Sequence, residues 1–356
     1  MSRIILFILI FLVADISMIS AQQEVKHFFI EMKSVADTLR FGVIEKEDGE
    51  YVNKYFETED ANKDISWDEF KFLFTEWYHQ MDETDDNLLF YTHGFLAHKL
   101  HYQTMINNYM HKHVYEKEDN AYRSIVSLVW YSTMDYKASR TTTIEMGDRF
   151  AGLINELLDI TEKHQENRQV SFLSHSMGNR LFEGVYIGLN KIVAAKEPYI
   201  ENVIFAAPDI EVNTFSPGGT LEDIDEFCNR AIVYRNNRDF TLGMSKFFNK
   251  KDRLGLDGIE DMDDTPDNVF LVDVSMLEAS DDKPDKFTRH RYFTGSPAVR
   301  QDMFNILNPE FASDHPEREE LQHSRRLVIR DLETEVEDKS EQVEVLTPAK
   351  NNNNNK

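Results

Sequence analysis

The chain is 356 residues long, which suits one large α/β domain with extensions or two small domains. Hydrophobic residues make up 41% of it and aromatic residues 12%, which is enough for a packed core and unlike a disordered chain. The formal net charge of −25 at pH 7 repels nucleic acid and anionic lipid surfaces. The single cysteine, Cys228, excludes an intramolecular disulfide. We therefore expect a globular protein with no nucleic-acid partner.

Residues 1–21 have the order of a secretory signal peptide. Arg3 precedes a short apolar run, Ile4–Ala14, and the small residues Ser20 and Ala21 follow it. The run is short for a membrane span, and small residues suit a cleavage site. We predict cleavage near Ala21 and export to a periplasm or out of the cell, with no stable membrane span after cleavage. An uncleaved membrane anchor is the alternative interpretation.

Residues 22–84 predict an N-terminal extension made of helices and a hairpin. Phe28–Arg40 has the pattern of an amphipathic helix. Phe41–Thr58 alternates weakly and predicts a peripheral hairpin, and Trp67–Tyr78 predicts a second helix.

Short apolar runs, rich in β-branched and aromatic residues, recur from residue 88 onward. Continuous runs of this kind suit strands that are buried on both faces of a sheet. Helical stripes lie between several runs, one over Phe150–Leu158 and another over Met177–Ile192. The alternation predicts an α/β architecture over residues 85–310, a mainly parallel central sheet flanked by helices. The predicted strands are Leu88–Thr92, Ser124–Trp130, Val170–Leu173, Val203–Ala206, Ala231–Tyr234 and Val269–Val274.

The last part of the chain, residues 311–356, has a different composition. From about Pro316 it is dominated by charged and amide side chains, and it closes in a run of asparagines and one lysine, Asn351–Lys356. This composition predicts a solvated helix followed by a disordered tail.

Ser176 lies between a predicted strand and a predicted helix, in the pentapeptide Ser174-His175-Ser176-Met177-Gly178. A serine on such a turn is lifted above the sheet, and its neighbours must be small because the turn is crowded. The usual pattern is G-x-S-x-G, and Ser174 replaces the first glycine. The alternative interpretation is an ordinary helix N-cap by one of the two serines. Ser176 is the candidate nucleophile.

His93-Gly94-Phe95 directly follows the first of these predicted strands. In α/β hydrolases this loop supplies one backbone N–H of the oxyanion hole, and the residue after the nucleophile supplies the other. The candidate donors are therefore Phe95 and Met177. Taken alone, the His-Gly pair would rather indicate a tight turn at the end of a strand.

A serine nucleophile needs a base, and the base needs an acid that orients it. This fold takes them in the chain order Ser, Asp or Glu, His. Asp239 follows the fifth predicted strand, and His290 is the first histidine after the sixth. Asp209, also just beyond a strand, is the alternative acid, and either aspartate could instead cap a loop. The order predicts a triad of Ser176, His290 and Asp239.

Several short segments spaced over roughly residues 85 to 300 form a set that chance rarely supplies. They are Thr92-His93-Gly94-Phe95, Trp130-Tyr131-Ser132, His175–Arg180, Ala207–Ile210, Val233–Leu242, Arg253-Leu254-Gly255 and His290. Together they resemble a family of bacterial α/β-hydrolases of unknown function, related in architecture to lipases and esterases. The resemblance implies Ser176 as nucleophile, Asp239 as acid and His290 as base. The family usually has proline at the place of Tyr131 and glycine at that of Ser174.

These residues predict a carboxyl-ester hydrolase of lipase or esterase type, acting on a small-molecule acyl ester through an acyl-enzyme. No metal or organic cofactor is required. A peptidase or thioesterase fits the same triad. A catalytically silent scaffold that acts as an exported binding protein is the alternative from another class. The sequence does not determine the oligomeric state.

The acidic stretch Asp257–Asp267 lies between the candidate acid and the candidate base. Runs of this kind are usually solvated loops. Its position also allows a lid over the site.

Overall fold

A computed structural model describes most of the chain between residues 26 and 329. The described residues are 26–36, 38–47, 50–53, 65–79, 87–96, 122–162, 169–192, 200–278, 283–307, 318–320 and 325–329. The predicted signal peptide, residues 1–21, lies outside these ranges, as does most of the predicted tail, residues 311–356.

The described residues contain one large sheet of eleven strands. They are β1 Lys26–Met32, β2 Arg40–Glu47, β3 Glu50–Asn53, β4 Asn87–Thr92, β5 Tyr122–Trp130, β6 Val170–His175, β7 Ile200–Ala206, β8 Cys228–Arg235, β9 Val269–Asp273, β10 Arg318–Glu320 and β11 Arg326–Ile329. Their order is β10-β11-β9-β8-β7-β6-β4-β5-β1-β2-β3. The strands from β11 to β1 in this order pair in parallel. The edge pairs β10–β11, β1–β2 and β2–β3 are antiparallel.

Helices lie on both faces of this sheet. They are α1 Trp67–His79, α2 Tyr136–Glu162, α3 Gly178–Ile192, α4 Phe240–Asn249, α5 Leu254–Asp257, α6 Lys283–Thr288, α7 Tyr292–Gly295 and α8 Pro297–Leu307, with a short 3₁₀ turn at Ile224–Glu226. One apolar cluster contains residues of α1, α2 and α3, and the other contains residues of α7 and α8. The predicted α/β-hydrolase fold, a mainly parallel sheet flanked by helices, is confirmed. In the part of the chain that the structure describes, no helix combines the length and apolarity that a membrane crossing requires.

The six predicted strands are all present, because each is buried on both faces. In β4, Phe90 belongs to one apolar cluster, whereas Leu89 and Tyr91 belong to the other. A strand covered on both faces can be apolar at every position, which explains the continuous runs in the sequence.

The helix predicted over Phe28–Arg40 is wrong, because Lys26–Met32 is a strand. This strand pairs in parallel with β5 and antiparallel with β2. The polar residues His27 and Glu31 of this strand are both buried. His27 is hydrogen-bonded to Ser127 on β5 at 2.7 Å, and Glu31 pairs with an arginine of β2 at 3.3 Å. The central sheet therefore includes strands that precede residue 85, where the sequence analysis placed the start of the main domain.

The other two predictions for the N-terminal part are confirmed over the described residues. The hairpin predicted over Phe41–Thr58 is β2 and β3, which pair from Ile44 with Asn53 to Glu47 with Glu50. Its last five predicted residues lie outside the described ranges. The helix predicted over Trp67–Tyr78 is α1.

The solvated helix predicted from about Pro316 is wrong where the structure describes this part of the chain. Arg318–Glu320 and Arg326–Ile329 are strands at the edge of the sheet. A short apolar run within this charged segment was not recognised as a strand. Its last residues, Val328 and Ile329, are buried. The sheet supplies the partner that such a short segment needs.

The strand order reverses between β4 and β6. The chain passes from β4 to β5 on one side and from β6 to β7 on the other. Parallel sheets bind ligands at the carboxyl ends of their strands at such a reversal. Gly178, just after β6, approaches the end of β4 so closely that a Cβ there would lie 2.5 Å from the carbonyl oxygen of His93.

Helices α2 and α3 touch through glycines. A Cβ on Gly147 would lie 2.1 Å from the carbonyl oxygen of Leu181, and one on Gly184 would lie 2.2 Å from that of Ile144. The two backbones are therefore in direct contact. This contact holds α3, which begins two residues after Ser176, against the longest described helix.

We predict that Gly147→Ala lowers the free energy of unfolding by about 1–3 kcal/mol, because the new methyl group must push the helices apart. Gly152→Ala on the same helix is the matched control, since no atom lies within 4 Å of a Cβ there. It should be neutral or stabilise by about 0.5–1 kcal/mol, because alanine favours a helix. Urea unfolding measures both, and equal effects would contradict the close contact.

Candidate active site

Ser176 occupies a sharp turn between β6 and α3. Its φ of 54° lies in the left-handed region, which residues other than glycine usually avoid. Its backbone N–H donates to Ala206 at 3.0 Å, and its carbonyl oxygen accepts from the N–H of Asp209 at 3.1 Å and from Nδ2 of Asn179 at 2.9 Å. A strained serine held in this way between strand and helix has the geometry of a nucleophile elbow.

Ser174 lies within β6, where the sequence pattern of the fold has glycine. It is buried and pairs in register with Thr92 of β4 and Phe205 of β7, so its side chain leaves the strand regular. Among the described residues, no side-chain hydrogen bond joins Ser174 or Ser176 to a backbone N–H of α3. The helix-cap interpretation therefore finds no support.

His290 is paired with Asp239. Nδ1 of the imidazole lies 2.6 Å from Oδ2 of the aspartate, and both side chains are buried. The other carboxylate oxygen of Asp239 accepts from the backbone N–H of Leu242 at 2.9 Å and so caps α4. Asp239 combines the two roles that the sequence left as alternatives, a cap and a partner for a histidine.

Neighbouring residues hold the histidine loop in place. The hydroxyl of Tyr292 donates to the carbonyl oxygen of Tyr234 at 2.8 Å and accepts from the N–H of Ala207 at 3.0 Å. Nδ2 of Asn236 donates to the carbonyl oxygen of Arg289 at 3.4 Å. These bonds attach the segment around His290 to the ends of β7 and β8, next to the turn that carries Ser176.

His175 was not singled out as a site residue by the sequence, although it directly precedes the candidate nucleophile. Its ring lies 4.8 Å from that of His290 and stacks on Phe293 at 4.5 Å. Its Nε2 lies 3.2 Å from the carbonyl oxygen of His290. Burial, together with the neighbouring charges of His290 and Arg291, holds the pKa of His175 well below its ordinary value. His175 therefore stays neutral and donates its Nε2–H to the histidine loop.

The loop after β4 is fixed by His93 and Trp130. Nε2 of His93 accepts from the backbone N–H of Trp130 at 3.3 Å, so Nδ1 carries the proton and donates to the carbonyl oxygen of Gly94 at 2.8 Å. The indole N–H of Trp130 donates back to the carbonyl oxygen of His93 at 2.9 Å, and the two rings stack. His93 is thus a structural residue.

This loop reaches the candidate nucleophile. A Cβ on Gly94 would lie 2.9 Å from the Cβ of Ser176, so only glycine fits there without a shift. Within the described residues, the backbone N–H groups of Phe95 and Met177 are not donated to any protein acceptor. Both remain available to bind a negatively charged oxygen.

Asp209, the alternative acid, belongs to a different network. Its carboxylate accepts from the hydroxyls of Tyr136 and Ser245, each at 2.5 Å. Nη1 of Arg140 and Nη1 of Arg253 each lie 3.8 Å from it. The buried carboxylate lies close to two arginines and ties α2 to α4, whereas the imidazole of His290 is held by the other aspartate.

The acidic stretch Asp257–Asp267 is anchored. Ile259 and Met262 within it are buried, and Nη2 of Arg325 donates to the carbonyl oxygen of Met262 at 2.6 Å. The carboxylate of Asp257 accepts from Lys246 at 2.7 Å. These contacts do not suit a segment that swings as a lid. Among the described residues, no group of three or more His, Cys, Asp or Glu side chains could hold a metal ion.

The sheet, the strained serine turn and the positions after β4, β8 and β9 define an α/β hydrolase. Residues 72–306 match the family described as alpha/beta hydrolase of unknown function (DUF900). The match covers well over half of the chain, and the chain belongs to this family.

A comparison with solved structures found phospholipase PlaB from Legionella pneumophila in complex with thio-NAD. It is 13% identical and has a TM-score of 0.24, and the match covers 58% of this chain and 41% of the phospholipase chain. The match thus spans less than half of that protein's length. No curated protein matched the sequence.

We predict that Asp209→Asn lowers the free energy of unfolding by about 3–5 kcal/mol, because it removes the one described carboxylate within 4 Å of the buried Arg140 and Arg253. Asp239→Asn should cost clearly less, since the amide oxygen still caps α4. Urea unfolding of the two variants measures the difference. If Asp239→Asn is the more damaging one, the assignment of Asp209 to the structural network is wrong.

The depressed pKa of His175 predicts a loss of stability in acid. Below about pH 6.5 the unfolded chain protonates this ring while the folded protein keeps it neutral, so stability falls as the pH falls. The loss from this residue is at most about 1.4 kcal/mol per pH unit. His175→Phe, which keeps an aromatic ring against Phe293, should show a smaller change between about pH 7.5 and about pH 5.5. Equal changes in unfolding free energy would contradict the neutral state.

Proposed function

We propose that this protein is a serine hydrolase that cleaves carboxylic esters of lipase or esterase type through an acyl-enzyme. The observation that carries this proposal is the 2.6 Å contact between His290 and Asp239, at the edge of the sheet where Ser176 occupies its strained turn. An aspartate that holds Nδ1 of a histidine leaves Nε2 to act as a base on the serine.

Each group then has one task. Nε2 of His290 takes the proton from the hydroxyl of Ser176, whose oxygen attacks the acyl carbonyl carbon. The N–H groups of Phe95 and Met177 hold the oxyanion that forms, and each such donor contributes about 10²–10³-fold to the rate. The imidazolium gives its proton to the leaving alcohol. Water, activated by the same imidazole, releases the acid.

The neutral state of His175 favours this cycle. A second positive charge beside His290 would disfavour the imidazolium that forms when the serine loses its proton. Because His175 remains neutral and donates to the carbonyl oxygen of His290, it orients the base without competing with its charge.

Export and the choice of an ester as substrate are supported by the sequence alone. Residues 1–21 support export by a signal peptide. The choice of an ester over a thioester or an amide rests on the resemblance to lipases and esterases, since the triad fits all three. The competing proposal, a catalytically silent exported binding scaffold, is motivated by Ser174 at the place of a glycine.

We predict that the purified protein reacts covalently with a fluorophosphonate probe and that Ser176→Ala abolishes labelling. Asp239→Asn should slow labelling by about 10²–10⁴-fold at neutral pH, because the histidine loses the partner that sets its tautomer. The readout is gel fluorescence against time, with circular dichroism as the check that each variant is folded.

Labelling of Ser176→Ala at the wild-type rate would place the reactive group elsewhere. A folded wild type that never labels and hydrolyses no acyl ester would leave the silent scaffold as the better proposal.

A further inference from the structure

Large apolar side chains are exposed on the segments that follow β8 and β9. Single exposed apolar residues are common, but a contiguous set on a folded surface marks an interaction site. We call this set the apolar rim. Its members are Phe240, Met244, Phe247 and Phe248 on α4, Met276 after β9, and Phe287 in α6.

Helix α4 has an apolar stripe that faces solvent and not the core. Phe240, Met244, Phe247 and Phe248 have the i, i+4, i+7, i+8 spacing that normally faces a core. Here the stripe faces solvent, with 73% of Phe247 and 51% of Phe248 exposed. The two rings contact each other edge to face.

The opposite side of α4 holds the helix in place. Ser245 is buried and bonds to Asp209 and to the hydroxyl of Tyr136, which also accepts from Asn249 at 3.1 Å. Asp239 caps the first turn. These bonds hold the helix without the exposed stripe, which leaves the stripe available to an external partner.

The segments that carry the apolar rim also carry residues of the candidate active site. Phe240 directly follows Asp239, and Phe287 lies three residues before His290. Met276 is next to Ser275, whose hydroxyl accepts from a backbone N–H in the loop that leads to Asp239, at 2.8 Å. Helix α4 packs against α6. A surface that covered the rim would lie directly against the edge of the site.

The charges around the rim indicate which kind of surface can bind it. Residues 240–251 contain no Asp or Glu, and their lysines are largely neutralised, since Lys246 pairs with Asp252 and Lys251 pairs with Glu211. Residues 240–251 thus carry little uncompensated charge, that of Lys250, on a chain with a net charge of −25. A second copy would bring the same negative charge, and so would an anionic membrane. A zwitterionic or uncharged lipid surface carries no such repulsion.

We propose that the apolar rim docks on the surface of a zwitterionic or uncharged lipid aggregate, from which esters enter the site. The docking stands on the exposed side chains of α4 and α6. Only the statement that Ser176 cleaves the lipid ester rests on the proposed function. The helix lies in the interface and inserts its phenylalanines, as amphipathic surface helices do.

The first experiment measures flotation of the full chain with phosphatidylcholine vesicles. Phe247→Ser should weaken the partition constant by about tenfold, because a phenylalanine leaves the apolar phase. Phe72→Ser is the matched control, since Phe72 on α1 is also 62% exposed but does not belong to the rim. It should bind as the wild type does. Both substitutions are at exposed positions, and thermal unfolding verifies that they are folded.

Ser176→Ala separates the two proposals, because it should bind vesicles like the wild type while losing fluorophosphonate labelling. Vesicle binding without any labelling of the wild type would overturn the proposed function and leave the docking intact. A wild type that does not bind phosphatidylcholine, or equal losses for Phe247→Ser and Phe72→Ser, would overturn the docking. The docking would also be overturned if a rim variant changed the sedimentation coefficient but not vesicle binding. That result would show that the rim mediates contact between copies of the chain.

A second readout is the rate on an ester dispersed in the same vesicles divided by the rate on a soluble short-chain ester. This ratio should fall by about tenfold in Phe247→Ser and stay unchanged in Phe72→Ser. An unchanged ratio in both variants would show that the site takes its substrate from solution and would overturn the proposal.

Discussion

The left-handed turn at Ser176 is the constraint on which the site depends, because a serine at a φ of 54° must be held there by its surroundings. Ala206 and Asp209, at the end of β7, supply two of the hydrogen bonds that hold it. The backbone of Gly255 in turn fixes this segment, since its N–H donates to Pro208 at 2.9 Å. A side chain on Gly255 would lie 2.6 Å from the Pro208 nitrogen, so only glycine can make this bond.

The buried carboxylate of Asp209 also helps to position Asp239 and His290. It binds Tyr136 at the start of α2 and Ser245 on α4, so α4 has one position relative to the sheet. Asp239 caps that helix and holds His290 with its other oxygen. The two aspartates that the sequence offered as alternatives act in series. Asp209 positions the helix, and Asp239 caps the helix and holds His290.

The same helix joins the site to the outside surface. Its inner side is tied to Asp209 and Tyr136, and its outer side presents Phe247 and Phe248 to solvent. Because the hydrogen bonds of its inner side hold it against the protein, this helix can expose an apolar stripe and stay in place. Changes on the outer side should therefore act on docking, whereas changes on the inner side should act on stability and on the histidine.

The sequence by itself determined the six buried strands, the turn at Ser176 and the order of the candidate residues, because apolar runs and a crowded strand-to-helix turn are local. It favoured Asp239 over Asp209 as the acid, but both follow strands, and only the folded chain brings His290 beside one of them. It misread β1 as a helix because the strand that pairs with it in parallel, β5, is remote in sequence, as the bond between His27 and Ser127 shows. The stripe on α4 would likewise count as core by its spacing. Spacing defines a face, and only the tertiary structure decides whether that face meets protein or solvent.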